Sequence, residues 1–449
     1  MNMIHPQNST NNWFKIIFYT LIGLAGYSLI GYKIPRTEAG VLILTFGVLF
    51  LIYGLVISQQ WGKVWLKRWL WIAIGFRVIL LFSTPALSDD YFRFIWDGRL
   101  LSAGYNPYLY LPSDIIHSDI TSQAHLSQFL FEGLNSPHYF TVYPPLNQLL
   151  FGVSTWLSGG NILLNIILLR VWILLAEIGT IWLMMNLLPK VLKIPKNTQS
   201  SLIYALNPLV IVELTGNLHF EGVTIFFVLV AVWLVFRPFQ GDKFGLASAA
   251  ALAVAAAVKL LPLLFLPFLF KRLGFGRWVT YCAAVGGILL LFFAPFLSRE
   301  LFLNFGKSLD LYFQKFEFNA SIYYLLRKVG YWLTGYNVIQ TLGPLLSLTT
   351  VVGVCWLAYR SGSLIQKMLL ALTLYFLLAT TVHPWYITTL VALGALSGRW
   401  YPVLWSALLP LTYVAYAYQP YRENLNLVAL EYVLVIGCLI YEWGFKKRG

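Results

Sequence analysis

Apolar runs long enough to cross a lipid bilayer recur along almost the whole chain. A membrane helix needs about 20 consecutive apolar residues. The 449 residues are 59% hydrophobic and only 11% charged, whereas soluble domains carry about 25% charged residues. The sequence therefore predicts an all-α polytopic membrane protein, with residues 1–449 forming a single transmembrane domain of about 12–14 membrane helices.

The predicted spans follow one another with short connections. They are 13–31, 38–57, 67–84, 162–188, 200–214, 218–236, 245–258, 278–297, 337–359, 364–382, 385–398, 402–418 and 427–443. Two further stretches are ambiguous because prolines interrupt them. Residues 143–158 begin Tyr143-Pro144-Pro145, and residues 259–270 begin with Lys259 and contain two prolines.

The net charge of +14 does not indicate a nucleic-acid partner in a chain of this kind. An excess of Lys and Arg in a membrane protein records orientation and contact with anionic lipid. The three cysteines form no Cys-x-x-Cys pair, so neither a metal site nor a disulfide framework is predicted. We expect membrane lipid as a partner and no cofactor.

Cytoplasmic loops of membrane proteins are rich in Lys and Arg. Basic clusters at 63–68 (Lys63, Lys67, Arg68) and 446–448 (Lys446, Lys447, Arg448) therefore predict that Asp89 and Asp90 lie outside. If every segment spans, the basic residues between 190 and 243 fall outside, which conflicts with the expected enrichment of Lys and Arg in cytoplasmic loops. If 143–158 is re-entrant or lies along the outer surface and 259–270 spans, they move inside and the loop 216–221 moves outside. We favour this second topology.

Two outer segments, 84–142 and 298–336, are too polar to span the membrane and too long for plain connections. Both are rich in aromatic residues, which suit helices lying at the membrane interface.

An acidic and basic cluster, Ser88 to Arg99, directly follows the third apolar run. It is either an ordinary solvated loop or the reactive part of a transferase. On a helix Asp89 and Asp90 point about 100° apart, so one carboxylate acts on a hydroxyl while the other caps the helix or binds Arg. Arg93 and Asp97 share a face with Asp90, and form either part of an anion site or a simple ion pair.

Ionisable groups at membrane depth are costly and are usually functional or paired. Asn217, His219 and Glu221 lie together, although His219 and Glu221 lack a third metal ligand in the sequence. Lys259 lies in an apolar run, where it binds an anion such as a lipid phosphate or snorkels to the interface. Arg170 and Glu177 are two helical turns apart on one face and are expected to pair.

Further binding candidates occur in two later stretches: Asn319 and Arg327 in the second outer segment, then His383, Trp385 and Tyr386 at a helix end. Trp and Tyr at such positions often only anchor a helix at the interface. Arg327 and His383 have the chemistry to bind a phosphate.

In their order along the chain these segments resemble the GT-C superfamily of membrane glycosyltransferases, and in particular the catalytic subunit of the first mannosyltransferase of GPI-anchor synthesis with its bacterial relatives. The resembling motifs stand at Asp90-Tyr91, Gly104 to Tyr108, Tyr143 to Leu146, Asn207-Pro208, Gly216 to Glu221, Lys259 to Pro262, Asn319 to Tyr323 and Trp385-Tyr386. Each motif is weak alone, and their shared order carries the resemblance.

The resemblance implies a GT-C-like helix bundle with interfacial helices in the first outer loop. It also implies an inverting transfer of mannose or another hexose from a polyprenyl-phosphate sugar to a lipid or glycan acceptor, outside the cytoplasm. The aspartate of the first loop would be the general base. The GPI enzyme's pattern is Asp-x-Asp-Tyr, and Ser88 stands at its first position here, so the resemblance points to Asp90.

Two other functions fit a polytopic chain with these polar segments. A transporter or flippase of lipid-linked sugars would be expected to show inverted repeats, and none is evident. An O-antigen ligase or polymerase would carry a larger late outer loop. Short loops favour the bacterial inner (plasma) membrane, with the active site on the periplasmic side.

Overall fold

The protein is almost entirely helical in a computed structural model that describes residues 6–193, 199–237, 242, 245–314 and 316–445. Within these ranges the only β interaction is a bridge between Phe318 and Thr381. The predicted all-α polytopic class is therefore confirmed. The basic residues Lys196, Lys243, Lys446, Lys447 and Arg448 lie outside the described residues.

Six helices in the described ranges are long and apolar enough to cross a membrane. They are Asn12–Tyr32, Ala39–Ile57, Ile162–Asn186, Phe275–Phe296, Ile339–Tyr359 and Leu425–Gly444. The number of candidate spans rises to seven if the bent pair Pro208–Gly216 and Glu221–Phe236 is counted as one span. Shorter apolar helices are Leu246–Val258, Leu364–Leu378 and Pro384–Ser397, and further helices are Lys63–Leu80, Gln199–Ala205, Leu261–Leu269, Tyr401–Leu408 and Leu409–Ala417. The count of 12–14 crossings stays a prediction.

The first outer loop folds into one longer helix, Asp90–Ser102, and the short helices Pro112–Ile115, Asp119–Gln123 and Gln128–Glu132. The longer helix packs along Pro145–Ser158. Gly98 permits this close approach, because a Cβ atom there would lie 2.6 Å from the carbonyl oxygen of Phe151. The ambiguous segment after Tyr143 thus packs against the loop that carries the acidic cluster.

The second outer segment forms the helices Arg299–Gln314 and Ile322–Thr334. Phe318 binds the Thr380–Val382 stretch through two backbone hydrogen bonds. The rings of Tyr139 and Phe316 lie 5.7 Å apart, so the first and second outer segments meet.

Two buried arginines tie the helices together beneath the outer loops. Arg77 binds Glu177 at 2.7 Å, and neither side chain is exposed. Arg170 donates to four carbonyl oxygens, those of Leu81, Ser83, Thr215 and Gly216. The predicted pairing of Arg170 with Glu177 is therefore wrong: backbone carbonyls left free at two interrupted helices compete for Arg170, and Glu177 takes Arg77.

Several cation–aromatic pairs lie at the end of the bundle away from the acidic cluster. Arg68 lies 4.1 Å from the ring centre of Trp13, at the opposite end of the first helix from Arg36, which reaches Asp89. Arg272 contacts Phe236 and Arg399 contacts Trp443 in the same manner. Such pairs suit a membrane interface that presents anionic headgroups.

Replacing Arg77 with Met should lower the stability by about 3–5 kcal/mol, because Glu177 would remain as a buried carboxylate without a cation. Thermal unfolding of the purified protein in detergent would measure this loss. The double variant Arg77→Met, Glu177→Leu should recover most of it, since no unpaired charge remains. A double variant as unstable as the single one would contradict this account.

Candidate active site

The acidic turn before the Asp90–Ser102 helix separates its two aspartates. Asp89 binds Arg36, from the loop after the first helix, at 2.6 Å. Asp90 is the first helical residue, and its carboxylate accepts a hydrogen bond of 2.9 Å from the amide of Asn135. Adjacent residues on a helix point apart, so Asp89 is occupied by an arginine and Asp90 faces the interior of the first loop.

The environment of Asp90 favours its protonated form. Burial raises the pKa of this carboxyl above its ordinary value of 3.8, and the nearby Glu221 charge raises it further. The His219 ring and hydrogen bonds from Asn135 and Tyr143 act in the other direction and lower the pKa. A carboxyl with a raised pKa is suited to accept a proton near neutral pH.

A break in the apolar segment 208–236 brings three polar side chains beside Asp90. The helical parts before and after residues 217–220 are bent by 112°, and Leu218 has a positive φ of 65° within the break. Asn217 fixes this loop: its oxygen accepts from the Leu87 backbone at 3.2 Å, and its amide donates to Glu213 at 3.3 Å. The break is thus attached directly to the chain that leads into the acidic turn.

His219 is buried within a carboxylate and aromatic cage. Its Nδ1 atom lies 2.8 Å from the carbonyl oxygen of Glu213 and 3.3 Å from the Glu213 carboxylate. Because a carbonyl oxygen can only accept, Nδ1 carries the hydrogen. The Nε2 atom is buried and has no hydrogen-bond partner among the described residues.

A stack of rings connects this break to the late His383–Tyr386 turn. The His219 and Trp385 ring centres lie 3.8 Å apart at 13°, and Trp385 stacks on His383 at 4.4 Å and 2°. Phe318 of the second outer segment continues the stack beyond His383 at 4.9 Å. The stack therefore brings predicted site residues from two distant parts of the sequence into direct contact.

Glu221 and Lys259 form an ion pair in the lining of a mostly apolar cleft. The Lys259 ammonium also lies 4.0 Å from the ring centre of Tyr386. Lys259 directly follows the Leu246–Val258 helix in extended backbone. The rest of the lining consists of Thr224, Thr389 and the apolar residues Val228, Leu261, Pro262, Phe265, Leu372 and Phe376.

Arg93 and Asp97 lie in the packed interior of the loop. Arg93 binds Asp97 at 2.8 Å, and neither side chain is more than 5% exposed. Arg93 also donates to the carbonyl oxygen of Tyr139 at 2.9 Å, while Asp97 accepts from Gln148 at 3.0 Å. These contacts hold the Asp90–Ser102 helix against the chain on either side of Tyr143.

Asn319 and Arg327 belong to a neighbouring cluster. The Asn319 backbone donates to Glu423 at 2.6 Å and its amide donates to Glu431 at 3.1 Å. Arg327 binds Glu317 and lies 4.3 Å from the Tyr324 ring centre. This cluster meets the first one at the stacked rings of Phe318 and His383.

The structure thus gathers Asp90, Asn217, His219, Glu221, Lys259, His383, Trp385 and Tyr386 in one region. Sequence reasoning missed Arg36, the partner of Asp89, and Asn135, the partner of Asp90. Tyr143, which also hydrogen-bonds to Asp90, was not among the predicted site residues. The motif Tyr143-Pro144-Pro145 was the one available signal, whereas Arg36 and Asn135 stand in no motif.

No group of three or more His, Cys, Asp or Glu side chains in the described ranges could hold a metal ion. Arg36 pairs with Asp89 of the acidic turn, and Lys259 pairs with Glu221. The region therefore combines the carboxyl group of Asp90, the imidazole of His219 and the ammonium of Lys259, which also lines the mostly apolar cleft.

Comparison with known proteins gives one family. A family model described as alpha-(1->6)-mannopyranosyltransferase, N-terminal domain, matches residues 20–273. Alpha-(1->6)-mannopyranosyltransferase A of Corynebacterium glutamicum is 23% identical over 196 residues, which are 42% of this chain and 36% of that protein. The chain thus aligns with little more than a third of that relative's length. No solved structure matches.

Replacing Asp90 with Asn should raise thermal stability at neutral pH. The folded state binds the Asp90 proton more tightly than the unfolded state, so the carboxyl costs stability once the pH rises above 3.8. The gain from Asn should therefore shrink as the pH falls toward that value. Melting curves of both proteins across the pH range would measure it.

Asp97→Asn is the matched control on the same helix. It should lower stability at neutral pH, because Arg93 would lose its buried carboxylate. If Asp90→Asn destabilised the protein as much as Asp97→Asn, Asp90 would be a structural ion-pair residue.

Proposed function

Since the chain belongs to the alpha-(1->6)-mannopyranosyltransferase family, we propose that it is an inverting glycosyltransferase that moves mannose, or a related hexose, from a polyprenyl-phosphate sugar to a hydroxyl of a lipid or glycan acceptor. One observation carries this proposal. A carboxyl group with a raised pKa, Asp90, belongs to the same polar cluster as an ammonium group, Lys259, at the head of an apolar cleft.

Asp90 is the proposed general base. It accepts the proton of the acceptor hydroxyl while the hydroxyl oxygen attacks the anomeric carbon of the donor sugar. Asn135 and Tyr143 orient its carboxylate through hydrogen bonds. Asp89 is assigned no proton transfer, because Arg36 engages it.

Lys259 is the proposed partner of the departing phosphate. The bond between the anomeric carbon and the phosphate oxygen breaks as the new bond forms, and negative charge grows on that oxygen. An ammonium group in partly desolvated surroundings stabilises such charge. Its side chain is 32% exposed, so a phosphate can reach it, whereas Arg93 is enclosed by Asp97 and the loop.

The apolar cleft under Lys259 is the proposed seat of the prenyl chain. Its walls come from the Glu221–Phe236 helix, the Leu261–Leu269 segment and the Leu364–Leu378 helix. A polyprenyl phosphate has an anionic head on an apolar chain, which matches an ammonium above aliphatic and phenyl side chains. A single displacement with one base requires no covalent sugar intermediate and inverts the anomeric centre.

The site is proposed to face the non-cytoplasmic side of a bacterial plasma membrane. Support comes from the cation–aromatic pairs at the opposite end of the bundle, because basic loops are retained in the cytoplasm. The acidic cluster and both aromatic outer segments then lie outside.

Asp90→Asn should reduce transfer of radiolabelled mannose from polyprenyl-phosphate mannose by about 10²–10⁴-fold, the usual contribution of a general base. Membranes containing either protein would be assayed with endogenous lipid and glycan acceptors. The Asp89→Asn protein is the matched control and should lose less than about tenfold, since it loses only a half-exposed ion pair. Equal losses of transfer activity in the two variants would contradict the assignment of Asp90 as the general base. Full activity of the Asp90→Asn protein would contradict it as well.

The orientation predicts which engineered cysteines react in intact cells. In a protein freed of its three native cysteines, Ser118→Cys in the first outer loop should react with a membrane-impermeant maleimide, because Ser118 is exposed. Ser363→Cys, exposed between two helices at the opposite end, should react only after the cells are opened. The reverse labelling pattern would place the site on the cytoplasmic side.

A further inference from the structure

The ion pair between Glu221 and Lys259 occupies the place where the proposed function puts the donor phosphate. The Lys259 ammonium donates to the Glu221 carboxylate and lies 4.0 Å from the Tyr386 ring centre. Lys259 is 32% exposed and Glu221 is 8% exposed. A phosphate that approaches Lys259 from the cleft therefore meets a cation already bound to an internal anion.

A second ionisable side chain, His219, lies in the same segment as Glu221 and within reach of its charge. His219 lies two residues earlier, across the start of the Glu221–Phe236 helix, and the charge of Glu221 acts on the His219 ring. The His219 Nδ1–H is held by the Glu213 carbonyl oxygen. The Nε2 atom is buried and lacks a hydrogen-bond partner in the described part of the chain, which is costly for a polar atom.

We infer that Glu221 and the donor phosphate exchange places on Lys259. Glu221 binds Lys259 before the donor binds. When a prenyl phosphate takes its place, the Glu221 carboxylate moves to the Nε2–H group of a protonated His219. This inference rests on the proposed function, because it names the anion that Lys259 exchanges. Before and after the exchange each charged group has a partner, so no buried charge is left alone.

The surroundings fit both positions of the carboxylate. Glu221 is the first residue of its helix, where the helix dipole favours a negative charge. The protonated His219 ring is accommodated by the Glu213 carboxylate at 3.3 Å and by the face of Trp385 at 3.8 Å, since aromatic faces attract cations. Glu221 is thus a positioning residue that acts through Lys259 and His219.

The exchange predicts an unusual direction of change for a carboxylate in a binding site. Glu221→Gln should tighten binding of farnesyl phosphate about tenfold, since the ligand no longer competes with an internal anion for Lys259; tenfold corresponds to about 1.4 kcal/mol. Binding of the purified protein in nanodiscs would be measured by calorimetry. Farnesol, which lacks the phosphate, should bind both proteins equally.

Further variants separate competition from a general effect of charge. Lys259→Gln should weaken farnesyl phosphate binding at least tenfold, and adding Glu221→Gln to it should restore none of that loss. Glu317→Gln removes a carboxylate from another ion pair, with Arg327, and should leave the affinity unchanged. If Glu221→Gln does not fold, Glu221→Asp tests the same direction, because its shorter side chain holds Lys259 less closely.

Weaker or unchanged farnesyl phosphate binding by the Glu221 variant would overturn the inference, as would an equal gain for farnesol. These outcomes are distinct from failure of the proposed function, because the measurement involves no sugar transfer. If farnesyl phosphate binds as described but Asp90→Asn transfers mannose normally, the phosphate exchange stands and the assignment of the base fails. If the wild-type protein does not bind farnesyl phosphate at all, the phosphate site itself is refuted.

Discussion

The arrangement of the candidate site depends on one buried guanidinium. Arg170 donates to carbonyl oxygens at two interrupted helix ends, at Leu81–Ser83 and at Thr215–Gly216. The first end leads into Asp89 and Asp90, and the second leads into the break that carries His219. Free carbonyls at membrane depth require donors, and five N–H groups on a planar fork meet that requirement for both ends at once. The two reactive segments are therefore fixed relative to each other.

Exposure separates four ion pairs of the described residues into two kinds. Arg77–Glu177 and Arg93–Asp97 are at most 5% exposed, so a partner cannot leave without stranding a buried charge. In Arg36–Asp89 and Lys259–Glu221 the cations are 30% and 32% exposed, and a ligand can reach them. Pairs of the first kind hold the loop and the bundle in place, and pairs of the second kind belong to the candidate site.

The sequence was most informative where a pattern has a direct physical cause. Apolar run length predicted the six helices that are long and apolar enough to cross a membrane, and the cost of charge in lipid singled out His219, Glu221 and Lys259. It could not assign partners, because pairing is decided in three dimensions: Glu177 binds Arg77 across 100 residues, and Arg36 binds Asp89 from the loop after the first helix. The stacking of His219 on the ring of Trp385, which itself stacks on His383, was equally hidden, since more than 160 residues separate His219 from that turn.

Desolvation makes an unpaired charge costly in such a site, and in the described structure Glu221 pairs with Lys259. In the proposed exchange this internal carboxylate holds Lys259 in position, and an incoming phosphate would replace one anion with another at little electrostatic cost. Affinity for the proposed donor would then be set by the difference between two anions, which would let the product phosphate leave after each transfer.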